Sequence, residues 1–101
     1  MQEQIYQAID YLNGGEYPEQ KLNAIINDLP QIKEEDDLDA LFILGDALIS
    51  SGLHNYAEKV YVHLYNQTEH DDEILAYLTD LMITDNRLDE ALSLINSSKK
   101  T

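Results

Sequence analysis

Cysteine is absent from the chain, and that absence removes disulfide scaffolds, zinc ribbons, thiolate metal sites and cysteine nucleophiles together. Tryptophan is also missing, phenylalanine occurs once, and there are only four glycines and two prolines in 101 residues. With 44% hydrophobic residues and few strand signals, that balance suits a globular helical protein rather than a disordered one. Cations are the other shortage: six Lys and Arg stand against 20 Asp and Glu, for a net charge of −14. Such a surface repels phosphate backbones and anionic lipid heads, which disfavours nucleic acid and membrane surfaces as partners and favours basic or amphipathic proteins. Solubility alone also accounts for the charge. The opening MQEQIYQAIDY has neither a basic n-region nor an apolar h-region, and no stretch approaches the length of a membrane span. The default expectation is a cytoplasmic protein with one small domain and one core.

What the chain does contain is helical periodicity. Apolar residues recur at i, i+3, i+4, i+7 in four strong windows: Ile5, Ala8, Ile9, Leu12; Leu22, Ile25, Ile26, Leu29; Leu41, Leu44, Gly45, Leu48; and Ala57, Val60, Tyr61, Leu64. Two weaker windows follow at Leu75, Leu78, Thr79, Met82 and at Ala91, Leu94, Ile95, Ser98. The spacing predicts six short helices. Breakers lie between them. Asn13-Gly14-Gly15, Ser50-Ser51-Gly52 and Asp85-Asn86 suit helix C-termini and turns, Pro18 suits a first helical turn, and Pro30 closes the second helix. Asp36-Asp37 and Asp71-Asp72-Glu73 stand where caps and negative charge favour a helix start. Asn55 with Glu58 has the spacing of a capping box.

Six helices in pairs invite a search for repeats. At an offset of 34, Leu41 meets Leu75, Leu44 meets Leu78, Gly45 meets Thr79, Leu48 meets Met82, Ala57 meets Ala91 and Tyr61 meets Ile95. Small residues at Gly45 and Ala57 would let the two helices of a pair approach closely. The first pair is a degenerate copy. Its opening helix aligns at an offset of 36, Ile5 under Leu41 and Leu12 under Leu48, and its second helix aligns better at 35. Gln20 or Lys21 falls near the place of the small alanine.

The run Leu41-x2-Leu44-Gly45-x2-Leu48 followed by Ala57-x3-Tyr61 resembles the tetratricopeptide repeat, a 34-residue helix–turn–helix unit with the pattern W-x2-L-G-x2-Y, A-x3-F, P. Here Leu41 replaces the Trp, Leu48 the Tyr, Tyr61 the Phe and Glu69 the closing Pro. The second repeat keeps Leu75, Leu78 and Ala91. The resemblance implies an all-α fold of three antiparallel helix pairs stacked as a right-handed superhelix, an α–α solenoid: residues 1–35 a degenerate pair, 38–71 a repeat, and 72–101 a repeat without a capping helix. It also implies a concave face built mainly from the first helix of each pair, and a non-catalytic role in binding proteins. The chain further resembles the N-terminal part of the long cytosolic repeat proteins of Gram-positive bacteria.

On the third helix Asp39, Phe42, Asp46 and Ile49 lie off the packing stripe. Their counterparts are Glu3 and Glu73, Tyr6 and Ala76, Asp10 and Asp80, and Asn13 and Ile83. Two acidic columns result, with an aromatic or apolar column between them. Carboxylates on helices about 10 Å apart repel by about 0.4 kcal/mol in water and by about four times that at a surface dielectric near 20. A cationic ligand would relieve the repulsion. The candidate binding groove is therefore Glu3, Tyr6, Asp10, Asp39, Phe42, Asp46, Ile49, Glu73, Asp80 and Ile83, for a basic or amphipathic peptide or helix. In the alternative reading the columns are merely solvated and the chain is a structural spacer or a self-associating segment. Family members that bind chaperone C-terminal carboxylates use Lys, Arg and Asn at these positions, so such acidic tails are not expected ligands here.

No other chemistry stands out. His54, His63 and His70 lack partners at metal-binding spacing, and Glu34-Glu35-Asp36-Asp37-x-Asp39 lacks the Gly and closing Glu of a calcium loop. Neither a nucleophile nor a substrate pocket is marked, so no enzyme activity, cofactor or metal is expected. Two Asn-x-Ser/Thr sequons would be idle in a cytosolic chain. No polar capping helix follows Ser98, which predicts either a longer repeat protein or a homodimer covering the exposed terminal repeat.

Overall fold

A helix forms over each predicted stripe in the computed structural model, which describes residues 2–68 and 71–98, although Leu29 of the second stripe falls in the turn that follows its helix. Six α-helices and one 3-10 turn follow in order: α1 (Gln2–Asn13), α2 (Glu19–Asp28), the 3-10 turn Leu29–Gln31, α3 (Glu35–Ser50), α4 (His54–Gln67), α5 (Asp72–Thr84) and α6 (Leu88–Ser98). No strand occurs among the described residues, so the fold is all-α. Glu69, His70 and the terminal Lys99-Lys100-Thr101, on which some of the sequence expectations fall, lie outside the described residues.

The burial pattern follows the periodicity closely. Ile5, Ala8, Ile9 and Leu12 are buried on α1, as are Leu41, Leu44, Gly45 and Leu48 on α3 and Ala57, Val60, Tyr61 and Leu64 on α4. On the weaker stripes Leu75 is half-buried while Leu78, Thr79 and Met82 are buried, and Ala91 is the buried residue of α6. Thr79 satisfies its buried hydroxyl by donating to the Ala76 carbonyl at 3.0 Å, a local bond open to a Thr on a helix.

One turn is used three times. After α1, α3 and α5 a residue with positive φ reverses the chain: Gly15 at 82°, Gly52 at 78° and Asn86 at 62°. The amide after it reaches back into the preceding helix each time, Glu16 to the Tyr11 carbonyl, Leu53 to Leu48 and Arg87 to Met82, at 2.7–2.9 Å. Both bonds of the Schellman motif are present, which is why Gly or Asn must stand there.

Helix starts differ from the expectation. Glu34 and Leu53 precede α3 and α4 without a side-chain cap, so Asp36 and Asp37 act within the first turn as charges favoured by the helix dipole. Asn55 does not cap α4, and Glu58 instead accepts an ion pair from Arg87 at 2.6 Å. A charged partner brought in by the third turn outcompetes the local box. Asp71 does cap as expected, its Oδ1 accepting from the Glu73 amide at 2.8 Å.

The contact between α3 and α4 is the most extensive, followed by α1 with α3, and that between α1 and α2 is the thinnest within a pair. The cause lies in side-chain size. In the phase set by burial, α2 places Leu22 where α4 has Ala57, and α1 places Ile9 where α3 has Gly45. Larger side chains at such positions favour a wider helix spacing, which fits the thin contact between α1 and α2. By contrast α3 and α5 have no Cα atoms within 8 Å of each other among the described residues; aromatic rings bridge that gap.

Candidate functional site

The bridge is an aromatic trio. Phe42 of α3 meets Tyr61 of α4 edge-on at 6.0 Å between centroids and Tyr77 of α5 edge-on at 5.5 Å, while Tyr61 and Tyr77 stack at 5.3 Å with 7° between their planes. Both arrangements suit the ring quadrupole. Neither Tyr61, read as a stripe residue, nor Tyr77, read as nothing in particular, was expected to meet Phe42. Their only signal in the sequence is that each is aromatic on one of the two helices that follow α3.

Glycine 45 makes room for the trio. A Cβ built there would lie 2.7 Å from Tyr61 Cζ and 3.0 Å from its hydroxyl oxygen. The small residue thus accommodates a ring rather than a bare backbone crossing. The Tyr61 hydroxyl emerges beside Asp46, whose Oδ1 accepts from it at 3.5 Å. Burial first, and then the Asp46 charge, push the Tyr61 phenol well above its ordinary pKa.

Asp46 itself is exposed, as are Asp10 and Asp80. Tyr61 gives Asp46 an internal partner, but this cannot explain the other two. Where α4 has Tyr61, α2 has Ile26 and α6 has Ile95, and neither carries a donor.

Four of the predicted residues line two separate recesses, and the others line neither. Asp39, Phe42 and Glu73 come together around a recess of about 160 Å³ whose other walls include Leu38, Leu64, Asp71 and Ile74. Its floor is apolar and three carboxylates stand on its rim. Asp10 belongs elsewhere, lining a cleft of about 650 Å³ with Gln7, Tyr11, Glu16 and Lys21. Glu3 and Tyr6 are exposed on α1 and Ile83 is exposed near the end of α5, while Ile49 is half-buried. The helices that carry the Asp10, Asp46 and Asp80 row are unequally spaced, α1 close to α3 and α3 set apart from α5.

The α1–α2 cleft was not anticipated, although the mismatch at Gln20 and Lys21 hinted at it. Lys21 stands in it, donating to Gln7 Oε1 at 3.2 Å and lying 5.8 Å above the Tyr11 ring. Tyr17, which lines a neighbouring recess with Tyr11, Pro18 and Lys21, shares a 3.2 Å hydrogen bond with Tyr56, which donates to Asn23 Oδ1 at 2.9 Å. The Tyr56 bond raises the Tyr17 phenol to about 12.

The histidines take structural roles where they are described. His63 Nε2 lies 2.6 Å from the Ile32 carbonyl, tying α4 to the linker, and His54 Nδ1 lies 3.4 Å from Asp85 Oδ1. Among the described residues no group of three His, Asp or Glu is placed to hold a metal ion, and no helix is long and apolar enough to cross a membrane. No family model, curated protein or solved structure matches the chain.

Proposed function

We propose that the chain is a non-catalytic protein-interaction module, a tetratricopeptide-like array of three helix pairs whose acidic inner face binds a basic or amphipathic peptide or helix in the cytoplasm. Two features support the array: the thrice-used turn, and the coincidence of buried positions on α3 and α5 at an offset of 34. The observation that carries the binding reading is the recurrence of an exposed aspartate at Asp10, Asp46 and Asp80, only one of which has a tyrosine to satisfy. The recess rimmed by Asp39, Asp71 and Glu73 offers the apolar floor and anionic rim that suit a Lys or Arg side chain, stem below and head outward.

Fluorescence anisotropy with two labelled peptides of equal length, one rich in Lys and Leu and one rich in Glu and Leu, tests this reading. The basic peptide binds, and its affinity falls as salt rises. Preferential capture of the acidic peptide, or of neither, contradicts the reading and leaves the spacer alternative standing.

A further inference from the structure

The last helix is apolar over a wider arc than its neighbour covers. At the α-helical turn angle, Leu94, Ala91, Ile95, Leu88 and Leu92 follow one another around α6 over about 160°. Among the described residues only α5 packs on α6, and burial falls away from Ala91 toward Leu92. Ala91 is buried, Leu94 and Ile95 are half-buried, and Leu88 and Leu92 are each 58% exposed.

The α4 helix supplies an internal comparison. It has α3 against it and also α5, and its whole apolar stripe is buried. At the positions of α4 equivalent to Leu88 and Leu92 stand His54 and Glu58, which reach Asp85 and Arg87 in the turn of the next pair. The matching surface of α6 therefore carries leucines where α4 carries polar contacts, and among the described residues no second helix packs on it as α5 packs on α4.

We propose that this face of α6 docks the apolar side of an amphipathic helix with Lys or Arg on its flanks, set against α6 much as α5 is set against α4. Charge selects that occupant. The chain carries −14, and α6 opens with Asp89 and Glu90, of which Glu90 is matched by Arg87. A second copy would bring the same leucines with the same excess of acid, whereas basic flanks gain from the field. This surface is distinct from the inner face, and the inference does not depend on it.

The test uses two labelled peptides of identical Leu and Lys composition, one with its leucines at i, i+3, i+4, i+7 and one with them scattered around the helix. The ordered peptide binds the wild-type chain at least roughly tenfold more tightly than the scattered one, and the exposed pair of changes Leu88→Ser and Leu92→Ser removes that preference while the far-ultraviolet circular dichroism is kept. A chain with Asp10, Asp46 and Asp80 all changed to Asn retains it. Equal binding of the two peptides overturns the proposal, as does a preference that survives the leucine changes. Loss of the preference in the aspartate variant alone places the peptide on the inner face, which also overturns this proposal but not the reading of that face. A wild-type dimer in sedimentation equilibrium that the leucine changes dissolve makes the occupant a second copy, and the proposal fails.

Discussion

Tyr61 fills the space that any side chain at position 45 would need, its Cζ only 2.7 Å from where a Gly45 Cβ would stand. The contact sits at the centre of the most extensive helix pair. It joins the core to Asp46 through the Tyr61 hydroxyl and to α5 through the stacked Tyr77 ring.

Gly45→Ala therefore destabilises the chain. Alanine in a helix is worth about 1 kcal/mol over glycine, but the Tyr61 ring is held by Phe42 and Tyr77 and cannot simply swing aside. Overpacking costs about 1–3 kcal/mol, so the net loss is about 1 kcal/mol, read as a lower urea midpoint. In a Tyr61→Ile background, with the side chain that position 95 has, the alanine becomes neutral or stabilising. Additive effects of the two changes would show that the ring and the glycine are not coupled.

Alkaline pH should loosen the same contact. The folded state holds the Tyr61 phenol above the ordinary value of 10.0, so folding favours the protonated form. That contribution is complete below pH 10 and is lost as pH rises through the folded value. Tyr17, raised to about 12, acts in the same direction from the surface. Tyrosinate absorbance should show a last fraction of the seven tyrosines titrating late, as circular dichroism reports unfolding, and Tyr61→Phe should shrink that late fraction to the part that Tyr17 contributes. A single unperturbed titration of all tyrosines contradicts the assignment.

The first pair is spaced around a leucine, so truncating it leaves a void. Leu22→Ala costs about 2–4 kcal/mol, although alanine is the residue that the equivalent positions Ala57 and Ala91 carry. Helices already held apart by Ile9 and Leu22 cannot close over the missing volume. A cost below about 1 kcal/mol in chemical denaturation would mean that α1 and α2 can collapse to the spacing of the later pairs.

These particulars also mark how far the sequence could be read. Stripes such as Leu41, Leu44, Gly45 and Leu48 were legible because helical periodicity reports burial directly, and the three turns because Gly15, Gly52 and Asn86 answer a backbone need. The Asn55–Glu58 cap misled because Glu58 finds Arg87, a partner remote in sequence. The meeting of Phe42, Tyr61 and Tyr77 was hidden for the same reason: it depends on how far α5 stands from α3, which local pattern does not encode. The acidic residues were read as columns, and the structure divides them by local setting. Asp39 and Glu73 share a recess, Asp10 lines a cleft and Asp46 has a tyrosine.

The most direct test of the central claim is titration of a labelled Lys- and Leu-rich peptide against a chain carrying Leu88→Ser and Leu92→Ser, which silences the α6 face, and against the same chain also carrying Asp10→Asn, Asp46→Asn and Asp80→Asn. The changed side chains are exposed, so stability should move by less than about 1 kcal/mol. Affinity for the peptide should fall roughly tenfold to a hundredfold, and the salt dependence should flatten. Unchanged affinity in a folded variant would contradict the account and return the three aspartates to a solvated surface.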